Sequence, residues 1–418
     1  MKNLFLILIL PALLFSGKQK TEATSTTEKK YTAINDTLSK NLRTTYEKGA
    51  IVGFSISVVD ETGLIYDKGF GFTDIKQHNA YTSNTIQNIA SISKTLIGIS
   101  LFKAQELGKL NINDPINKYL PFKIVNPNHP EIPILIKHLA YHTSSITDLD
   151  AIYAKSYVLT KNKHDDNEGV YDYFNKPETN ISLSDFMKNS LTENEKWYTK
   201  NSFSNAKPGE KREYSNIAAA LCALVIESAT GQDYRSFTKD NILKPLGMNS
   251  SGWSTKDIDQ TKRSRLFANK EKMIAEYSLI TYADGGFLTS SSDLGLFLSE
   301  LIKGYGGNGI LLSQESYKKL FEKHNLSEDG KSEDYGVFIE FRNGFLKVKD
   351  DMIGHNGSDP GVFTAMYFNP KTKIGKIVLV NTDTDFSADV WPEIEEIWKS
   401  LSDYENTMNK SRHTNSVW

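Results

Sequence analysis

Two pairs of strand-like runs near opposite ends of the 418-residue chain constrain its fold more than any other feature. The first pair is IVGFSISVVD (51–60) and GLIYDKGFGF (63–72); the second is VFTAMYFN (362–369) and IGKIVLVN (374–381). A short turn joins the members of each pair, which predicts two antiparallel hairpins. Hairpins from both chain ends can close into one antiparallel sheet, so we expect a mixed α/β protein of the α+β type.

Helical patterns surround these hairpins. Apolar residues recur at helical spacing in 31–49 and again at about 387–401, which predicts a helix beside the sheet at each end. The middle of the chain, about 112–250, is helical and loop-rich, and it predicts a mostly helical lobe inserted between the halves of the sheet. Within it, the polar segment 161–205 is expected to be a solvated loop. Residues 31–402 would then form one domain.

The two ends of the chain differ from this domain in composition. Residues 1–17 begin with a lysine-containing stretch and continue with an apolar run too short to span a bilayer, which is typical of a secretory signal peptide. A lipoprotein signal would need cysteine where Lys18 stands, so we expect an exported protein, periplasmic or secreted, without a stable membrane anchor. Residues 18–30 are polar and Thr-rich and predict a linker, and 403–418 predict a polar, frayed tail.

Charge and cysteine content argue against several classes of function. The formal net charge is −2, so nothing electrostatic favours nucleic acid or an anionic membrane surface as a partner. Cys222 is the single cysteine, which excludes an internal disulfide, and its apolar neighbours predict a buried, unreactive thiol.

A serine and a lysine stand at the start of an apolar helical pattern in NIASISKTLIGISLFKAQELGKL (88–110). Ser-x-x-Lys occurs five times in the chain, but only Ser91 and Lys94 stand at a helix start that follows an extended approach. Residues three apart share a helix face, so the Lys94 ammonium would lie near the Ser91 hydroxyl. The helix start also offers unpaired N–H groups that favour developing negative charge. This pattern predicts either a nucleophilic serine or a serine that only caps the helix.

A second motif, Tyr214-Ser215-Asn216, precedes the apolar helix NIAAALCALVIESATG. A serine that attacks an amide or ester needs a base, and an adjacent ammonium makes a phenolate less costly. Lys94 and Tyr214 would then share a proton as a coupled pair. Asn216 would orient Lys94 and the substrate amide; alternatively, it is a turn or cap residue.

A third motif, His355-Asn356-Gly357, precedes the strand pattern VFTAMYF. Glycine at position 357 would let a substrate backbone approach the sheet edge closely. The backbone N–H of Ser358 would be a second oxyanion donor beside that of Ser91. The alternative is a histidine in a tight turn.

In this order, the three motifs resemble those of the serine β-lactamase and penicillin-binding protein superfamily, in the variant of class C β-lactamases and related esterases, D-aminopeptidases and D-alanyl-D-alanine carboxypeptidases. The segments IKHLAYHTSS, PGEKREYSN, ILKPLGMNSSGW and YADGGFLTSSSDLGLFL are similar to that family too, over about residues 33–400. The resemblance implies a β-lactamase/transpeptidase-like fold. It also implies a nucleophile (Ser91), its proton partner (Lys94), a base (Tyr214), an orienting amide (Asn216), a third-motif side chain (His355) and an oxyanion hole formed by the Ser91 and Ser358 N–H groups.

The chain departs from the family pattern at two places. The family often has His-Thr-Ser-Gly where this chain has His142-Thr143-Ser144-Ser145, which leaves the local loop shape open. In the third motif, His355 stands where typical β-lactamases have lysine. Because histidine is mostly neutral at pH 7, our hypothesis is that carboxylated, penicillin-like substrates bind poorly and that small esters or peptides are handled better.

Taken together, the sequence predicts an exported serine hydrolase that cleaves an amide or ester bond through a Ser91 acyl-enzyme, without metal or organic cofactor. Small peptides, D-amino-acid derivatives, esters and peptidoglycan-derived molecules are the expected substrates. The alternative is a slow or inactive sensor of penicillins or peptidoglycan fragments with the same fold. A zinc pair at His138 and His142 lacks the glutamate that a metalloprotease needs. A Ser-His-Asp triad built on His355 stays open, although no Gly-x-Ser-x-Gly elbow is present.

Overall fold

The computed structural model describes residues 17–162, 168–170, 173–325 and 334–415, and the main feature of this part is a large antiparallel sheet. The strands are β1 Gly53–Asp60, β2 Gly63–Asp74, β3 Asn79–Ala80, β4 Gln87–Asn88, β5 Tyr157–Leu159, β6 Glu168–Val170, β7 Phe267–Asn269, β8 Lys272–Ile274, β9 Tyr277–Leu279, β10 Leu288–Thr289, β11 Glu340–Phe345, β12 Val348–Asp359, β13 Val362–Phe368 and β14 Gly375–Val380. In the described residues the large sheet has seven strands in the order β11-β12-β13-β14-β1-β2-β3. Every neighbouring pair is antiparallel, and both predicted hairpins are confirmed.

The helices pack on both faces of this sheet and build the lobe beside it. They are α1 Gly17–Tyr46, α2 Lys94–Glu106, α3 Ile136–Ala140, α4 Asp150–Tyr153, α5 Leu183–Leu191, α6 Asn216–Thr230, α7 Tyr234–Thr238, α8 Lys244–Leu246, α9 Ser291–Tyr305, α10 Gln314–Leu320 and α11 Val390–Asn415. In the part of the chain that the structure describes, no helix combines the length and the apolar character that crossing a membrane requires.

Strand alternation divides the side chains of the sheet between two cores. On β14, Ile377 and Leu379 join the core shared with α2, α6 and α9, whereas Val378 and Val380 join the core under α1 and α11. Successive residues of a strand point to opposite faces, so a strand covered on both faces is buried at every position. This explains why β1, β13 and β14 are buried along their whole length.

The two terminal helices extend further than the sequence predicted. Residues 18–30, expected to be a linker, belong to α1, and residues 403–415, expected to be part of a frayed tail, belong to α11. In α11 the buried side chains of Leu401, Tyr404 and Met408 continue an apolar stripe at helical spacing through a polar sequence. The remainder of the predicted signal peptide, residues 1–16, lies outside the described residues.

The helical lobe between residues 112 and 250 contains α3 to α8 and the two short strands β5 and β6. At its centre, α6 is buried almost all round, which its alanine-rich sequence permits because small side chains let other helices approach closely. Part of the segment expected to be a loop is α5, whose Phe186 and Met187 are buried. The expectation for 161–205 is therefore wrong at α5, because a short amphipathic pattern lies inside a polar stretch.

Candidate active site

Ser91 lies in a tight turn between β4 and α2. The preceding residue, Ala90, has φ of +46°, a left-handed conformation that costs energy in any residue with a Cβ. Two hydrogen bonds hold the turn at Ile89, whose N–H donates to the Phe287 carbonyl (3.0 Å) and whose carbonyl accepts from Thr364 Oγ1 (2.8 Å). A 3₁₀ turn, Ala90–Ser93, then leads into α2. The chain therefore fixes the serine at the junction of the sheet and the helical lobe.

Gly357 of β12 packs directly against this turn. A Cβ at this position would lie 2.6 Å from the Ser91 backbone nitrogen and 2.9 Å from the Ile89 carbonyl oxygen. Neither backbone atom can move without displacing the nucleophile turn. Glycine was expected here to admit a substrate backbone; the structure gives it another reason, which is contact between the sheet and the turn that carries Ser91.

Lys94, the first residue of α2, is fully buried and points back at the serine. Its Nζ donates to Ser91 Oγ (2.9 Å) and to the backbone carbonyl of Asp284 (2.7 Å). Among the described residues, the Asp284 carbonyl and not the Asn216 side chain accepts this second hydrogen bond, so the orienting role expected of Asn216 stays a prediction. Sequence could not show this because a carbonyl partner leaves no mark on residue identity.

Tyr214 completes the group around the serine hydroxyl. Its phenol hydrogen-bonds with both Lys94 and Ser91, and the Lys94 ammonium lies 5.2 Å from the centre of its ring. The His142 ring stacks on the phenol ring with centroids 4.5 Å apart, and His142 Nδ1 accepts the Ser215 N–H (3.2 Å). His142 thus fixes the orientation of Tyr214, a contact that the sequence did not predict.

Burial and neighbouring charges set the protonation of this pair. Burial raises the pKa of Tyr214, and the neighbouring Lys94 ammonium only partly offsets this effect. Burial alone would lower the pKa of Lys94, but interactions with Tyr214 and Asp284 outweigh it and raise the pKa. The resting pair is therefore a neutral phenol beside an ammonium, because the cost of removing a phenolate from water exceeds the help from one cation.

Asp148 positions the second motif and was missed by sequence reasoning. Its carboxylate accepts from Ser215 Oγ (2.7 Å), Asn216 N (2.6 Å) and Ile217 N (3.1 Å). These are the first groups of α6, where unpaired N–H donors and the helix dipole favour an anion. Because this aspartate is 67 residues away in the chain, no local sequence pattern reveals it.

His355 lies on β12 beside the partly buried carboxylate of Glu340. Its Nδ1 is 2.5 Å from the Asn356 carbonyl oxygen, and its Nε2 is 3.9 Å from Glu340 Oε1. Burial lowers the pKa of His355, which keeps the ring neutral at pH 7. Glu340 accepts from Arg342 Nε and the Tyr367 hydroxyl, each at 2.8 Å. Glu340, which sequence reasoning did not single out, therefore places an anion beside the third motif.

The edge of β12 is open opposite the nucleophile. Residues 355–359 pair with β13, whereas the pairing with β11 ends where Glu340 meets Gly354. Ser358 is exposed on this stretch, and its neighbour Gly357 contacts the Ser91 backbone nitrogen as described above. The N–H groups predicted to bind an oxyanion are those of Ser91 and Ser358. They thus belong to two segments that pack against each other, the nucleophile turn and β12.

The loop that departs from the family pattern keeps a conformation suited to glycine. Ser145 has φ of +64°, and Asn126 Nδ2 donates to its hydroxyl (2.8 Å). The two histidines considered above as a zinc pair make structural contacts nearby. His138 Nδ1 accepts the Leu135 N–H (3.2 Å), and His142 Nδ1 accepts the Ser215 N–H. These ring nitrogens are occupied by backbone donors.

A large cavity of the protein does not lie at the nucleophile. It has a volume of about 560 Å³ and includes Asn88, Trp253 and Tyr277 in its wall, but neither Ser91 nor Lys94. Two of the charged groups in its wall, Arg265 and Glu276, form an ion pair (2.6 Å). The chemistry of the hydrogen-bonded serine, not the volume of an adjacent cavity, therefore marks the active site.

A helical lobe set on an antiparallel sheet, with a serine, a lysine and a tyrosine in hydrogen-bond contact where they meet, is the arrangement expected of serine hydrolases of the β-lactamase type. The family model described as Beta-lactamase matches residues 38–397, and the chain belongs to this family.

Relatives and solved structures agree with this assignment. Protein flp of Staphylococcus aureus (strain MRSA252) is 23% identical over 345 residues, which is 81% of this chain and 61% of that protein, so the chain spans about three fifths of that relative's length. Penicillin-binding protein 4* of Bacillus subtilis (strain 168) is 24% identical, covering 86% of this chain and 75% of its own.

Among solved structures, the octameric penicillin-binding protein homologue from Pyrococcus abyssi superposes with a TM-score of 0.65 at 26% identity, covering 83% of this chain and 73% of its own. The D-amino acid amidase from Ochrobactrum anthropi SV3 complexed with L-phenylalanine gives a TM-score of 0.64 at 18% identity, covering 89% of this chain and 99% of its own. The predicted fold class is confirmed.

Proposed function

We propose that this protein is an exported serine hydrolase that cleaves an amide or ester bond through an acyl-enzyme on Ser91. One observation carries the proposal: Lys94 Nζ donates to Ser91 Oγ at 2.9 Å, and the Tyr214 phenol hydrogen-bonds with both. A capping serine needs none of these contacts. A nucleophile needs all of them, because its proton must leave as the hydroxyl oxygen attacks.

The chemistry follows from the groups in contact. The resting pair of Lys94 and Tyr214 holds one proton too many, so a proton must leave it before it can act as a base. The Ser91 proton then passes to the pair while its oxygen bonds to the substrate carbonyl carbon, and the N–H groups of Ser91 and Ser358 bind the oxyanion. The pair returns the proton to the leaving group, and water releases the acyl group by the same steps in reverse.

We propose small amides and esters as the substrate class. The amidase from Ochrobactrum anthropi, which shares the fold, acts on D-amino acid amides by its name, and this supports testing amino-acid derivatives. The neutral ring of His355 and the anionic Glu340 beside it disfavour a substrate carboxylate at the third motif. Penicillin-like molecules are therefore expected to be turned over slowly.

Intact-mass analysis after treatment with a fluorophosphonate tests the nucleophile. The wild type is expected to gain one adduct that Ser91→Ala abolishes. Ser100→Ala is the matched control, because Ser100 and Lys103 form another Ser-x-x-Lys in the same helix, where Ser100 Oγ donates only to the Leu96 carbonyl (2.8 Å). An adduct that survives in Ser91→Ala contradicts the assignment.

A hydrolysis screen then tests turnover against the sensor alternative. The wild type is expected to hydrolyse p-nitrophenyl esters or amino-acid p-nitroanilides repeatedly, whereas Ser91→Ala does not. A stable acyl adduct without product would instead support a sensor. Export is tested by expressing the full chain with its N-terminal residues and measuring the protein outside the cytoplasm, with a version lacking residues 1–17 as the control.

A further inference from the structure

Asp359 is the last residue of β12, at the end of its open edge, and lies close to the nucleophile turn. A Cβ built on Gly285 would be 3.1 Å from Asp359 Oδ2 and 3.8 Å from the carbonyl carbon of Ala90, the atom bonded to the Ser91 nitrogen. The Asp359 carboxylate and the start of the nucleophile turn therefore both lie close to the position that a Cβ of Gly285 would occupy. Asp359 is also partly exposed, so a substrate held at Ser91 can reach it.

Tyrosine side chains surround this carboxylate. The Tyr157 hydroxyl donates to Asp359 Oδ1 (2.7 Å), and the Tyr157 ring lies 5.6 Å from that of Tyr153 and 5.8 Å from that of Tyr277. Tyr277 donates to the Pro360 carbonyl (3.0 Å), next to Asp359 in the chain. Aromatic faces around a carboxylate are the surroundings in which proteins bind ammonium groups.

A second carboxylate in the same cluster has an oxygen without a partner. Asp284 is fully buried; Tyr153 donates to its Oδ1 (3.3 Å), while Oδ2 has no hydrogen-bond partner. Burial raises the pKa of Asp284 to about 8, and the nearby Asp359 adds to that rise; burial also raises the pKa of Asp359 to about 6, while the field of Lys94 acts to lower both pKa values. A buried acceptor left unpaired is costly unless a donor arrives during function.

Neither carboxylate has its own cation. Among the described residues, no lysine, arginine or histidine nitrogen forms an ion pair with Asp284 or Asp359 within 4.0 Å. Lys94, the cation whose field reaches both, gives its hydrogen bonds to Ser91 and to the Asp284 backbone. Asp359 therefore presents a carboxylate without a paired cation, and Asp284 an oxygen without a partner, next to the turn that carries Ser91.

From this placement we propose that Asp359, with Asp284 and the rings of Tyr153, Tyr157 and Tyr277 behind it, binds a positively charged amine of the substrate. The substrate class is then an α-amino-acyl amide or ester with a free ammonium, held so that the ammonium faces Asp359 while its carbonyl carbon faces Ser91. The inference deepens the proposed function and rests on it. It adds no new bond-making step, since the ammonium is recognised and not transformed.

The experiment compares two substrates that share a leaving group. Alanine p-nitroanilide carries an α-ammonium, and isobutyryl p-nitroanilide replaces that ammonium with a methyl group of similar size; both alanine enantiomers are measured. The wild type is expected to prefer alanine p-nitroanilide in kcat/KM by about tenfold or more. Asp359→Asn is expected to lower kcat/KM for alanine p-nitroanilide by about tenfold to a hundredfold and to leave the isobutyryl substrate within about threefold.

Asp150→Asn is the control, because Asp150 is exposed on α4, the helix that carries Tyr153, and it should change neither rate. Equal losses on both substrates in Asp359→Asn would mean that Asp359 only supports Lys94, and would overturn the inference. Unchanged rates on both substrates would overturn it too.

The wild-type preference keeps the test decisive even where Asp359→Asn fails to fold. A wild type that prefers the isobutyryl compound, or that hydrolyses uncharged esters and ignores alanine p-nitroanilide, overturns the inference while the proposed function stands. A wild type that hydrolyses no ester or amide, and takes no fluorophosphonate on Ser91, overturns the proposed function itself.

Discussion

Two lysines in the described part of the chain are fully buried, and their surroundings differ in one decisive respect. Lys376 on β14 forms an ion pair with Glu405 of α11 (2.6 Å) and donates to Ser402 Oγ (3.0 Å). Lys94 on α2 meets a hydroxyl, a backbone carbonyl and a phenol instead, with no carboxylate within 4.0 Å among the described residues. Both ammonium groups have partners, but only the partners of Lys94 include a group, the Ser91 hydroxyl, that would give up its proton during the proposed reaction.

The difference separates a structural cation from a chemical one. An ion pair such as Lys376–Glu405 holds both charges in place and joins the last helix to the sheet, and neither partner gains from moving a proton. Around Lys94 the nearest groups are neutral oxygens, and one of them is the serine that must lose its proton. Burial of a lysine is therefore not itself a sign of catalysis; the identity of its partners is.

The largest expected effect is the loss of activity in Lys94→Met. We expect kcat/KM for an ester substrate to fall by about 10³-fold or more, because the Ser91 proton loses its acceptor pair. The free energy of unfolding should change little, since the variant replaces a desolvated ammonium with an apolar chain of similar length. Steady-state kinetics and chemical denaturation of the same preparation measure both. Retained activity would mean that Lys94, like Lys376, has only a structural role.

Next in size is the loss of stability in Lys376→Ala. This change leaves Glu405 buried without its cation, and it should lower the free energy of unfolding by about 3–5 kcal/mol, with kcat/KM of the folded fraction within about threefold of wild type. The double variant Lys376→Met/Glu405→Leu should recover most of that stability, because it removes both charges together. A large loss of kcat/KM without loss of stability would show that Lys376 also has a chemical role.

Tyr214→Phe sharpens the contrast inside the active site. The ring keeps its stacking on His142, but the hydroxyl that hydrogen-bonds with Lys94 and Ser91 is lost. We expect kcat/KM to fall by about 10²-fold with a small change in stability.

In the wild type, kcat/KM for a neutral ester should rise from pH 7 to pH 9, since raised pKa values of Lys94 and Tyr214 leave the pair protonated at neutral pH. A flat wild-type profile would contradict the resting state described above.

The smallest expected effect concerns the ionised side chain of Glu340, which is partly buried. Burial would raise the pKa of Glu340, but interactions with His355 and Arg342 outweigh it and lower the pKa to about 2, below the ordinary 4.5. The ionised carboxylate therefore stabilises the fold above about pH 4.5, and that contribution is lost as the pH falls from 4.5 towards 2. Glu340→Gln should be less stable than wild type by about 1–3 kcal/mol at pH 7.

Denaturation of Glu340→Gln and wild type across this range measures the effect. The difference between the two should narrow as the pH is lowered below 4.5. A difference that stays constant down to pH 2 would mean that packing, not charge, makes Glu340 important to the site. Glu61→Gln, at a half-exposed position, provides the matched control and should show no such narrowing.

The sequence predicted the parts of this fold that depend on local patterns. Alternating and apolar runs gave both hairpins, and helical spacing located the helices beside the sheet. Patterns failed where burial came from distant partners: α1 begins earlier, and α11 continues to Asn415, than their polar composition indicated. Motif order alone drew attention to the residues that the structure brings together: Ser91, Lys94, Tyr214 and His355.

Residue types and their order thus determined by themselves that the chain could build an antiparallel sheet and supply a hydroxyl, an amine and a phenol. Only the tertiary structure decided which groups hold them in place. The Asp284 carbonyl accepts from Lys94, Asp148 accepts from the start of α6, and Gly357, which has no Cβ, packs against the turn of Ser91. The physical reason is that backbone carbonyls, distant helix caps and close backbone contacts depend on position in space. None of them requires a pattern among neighbouring residues.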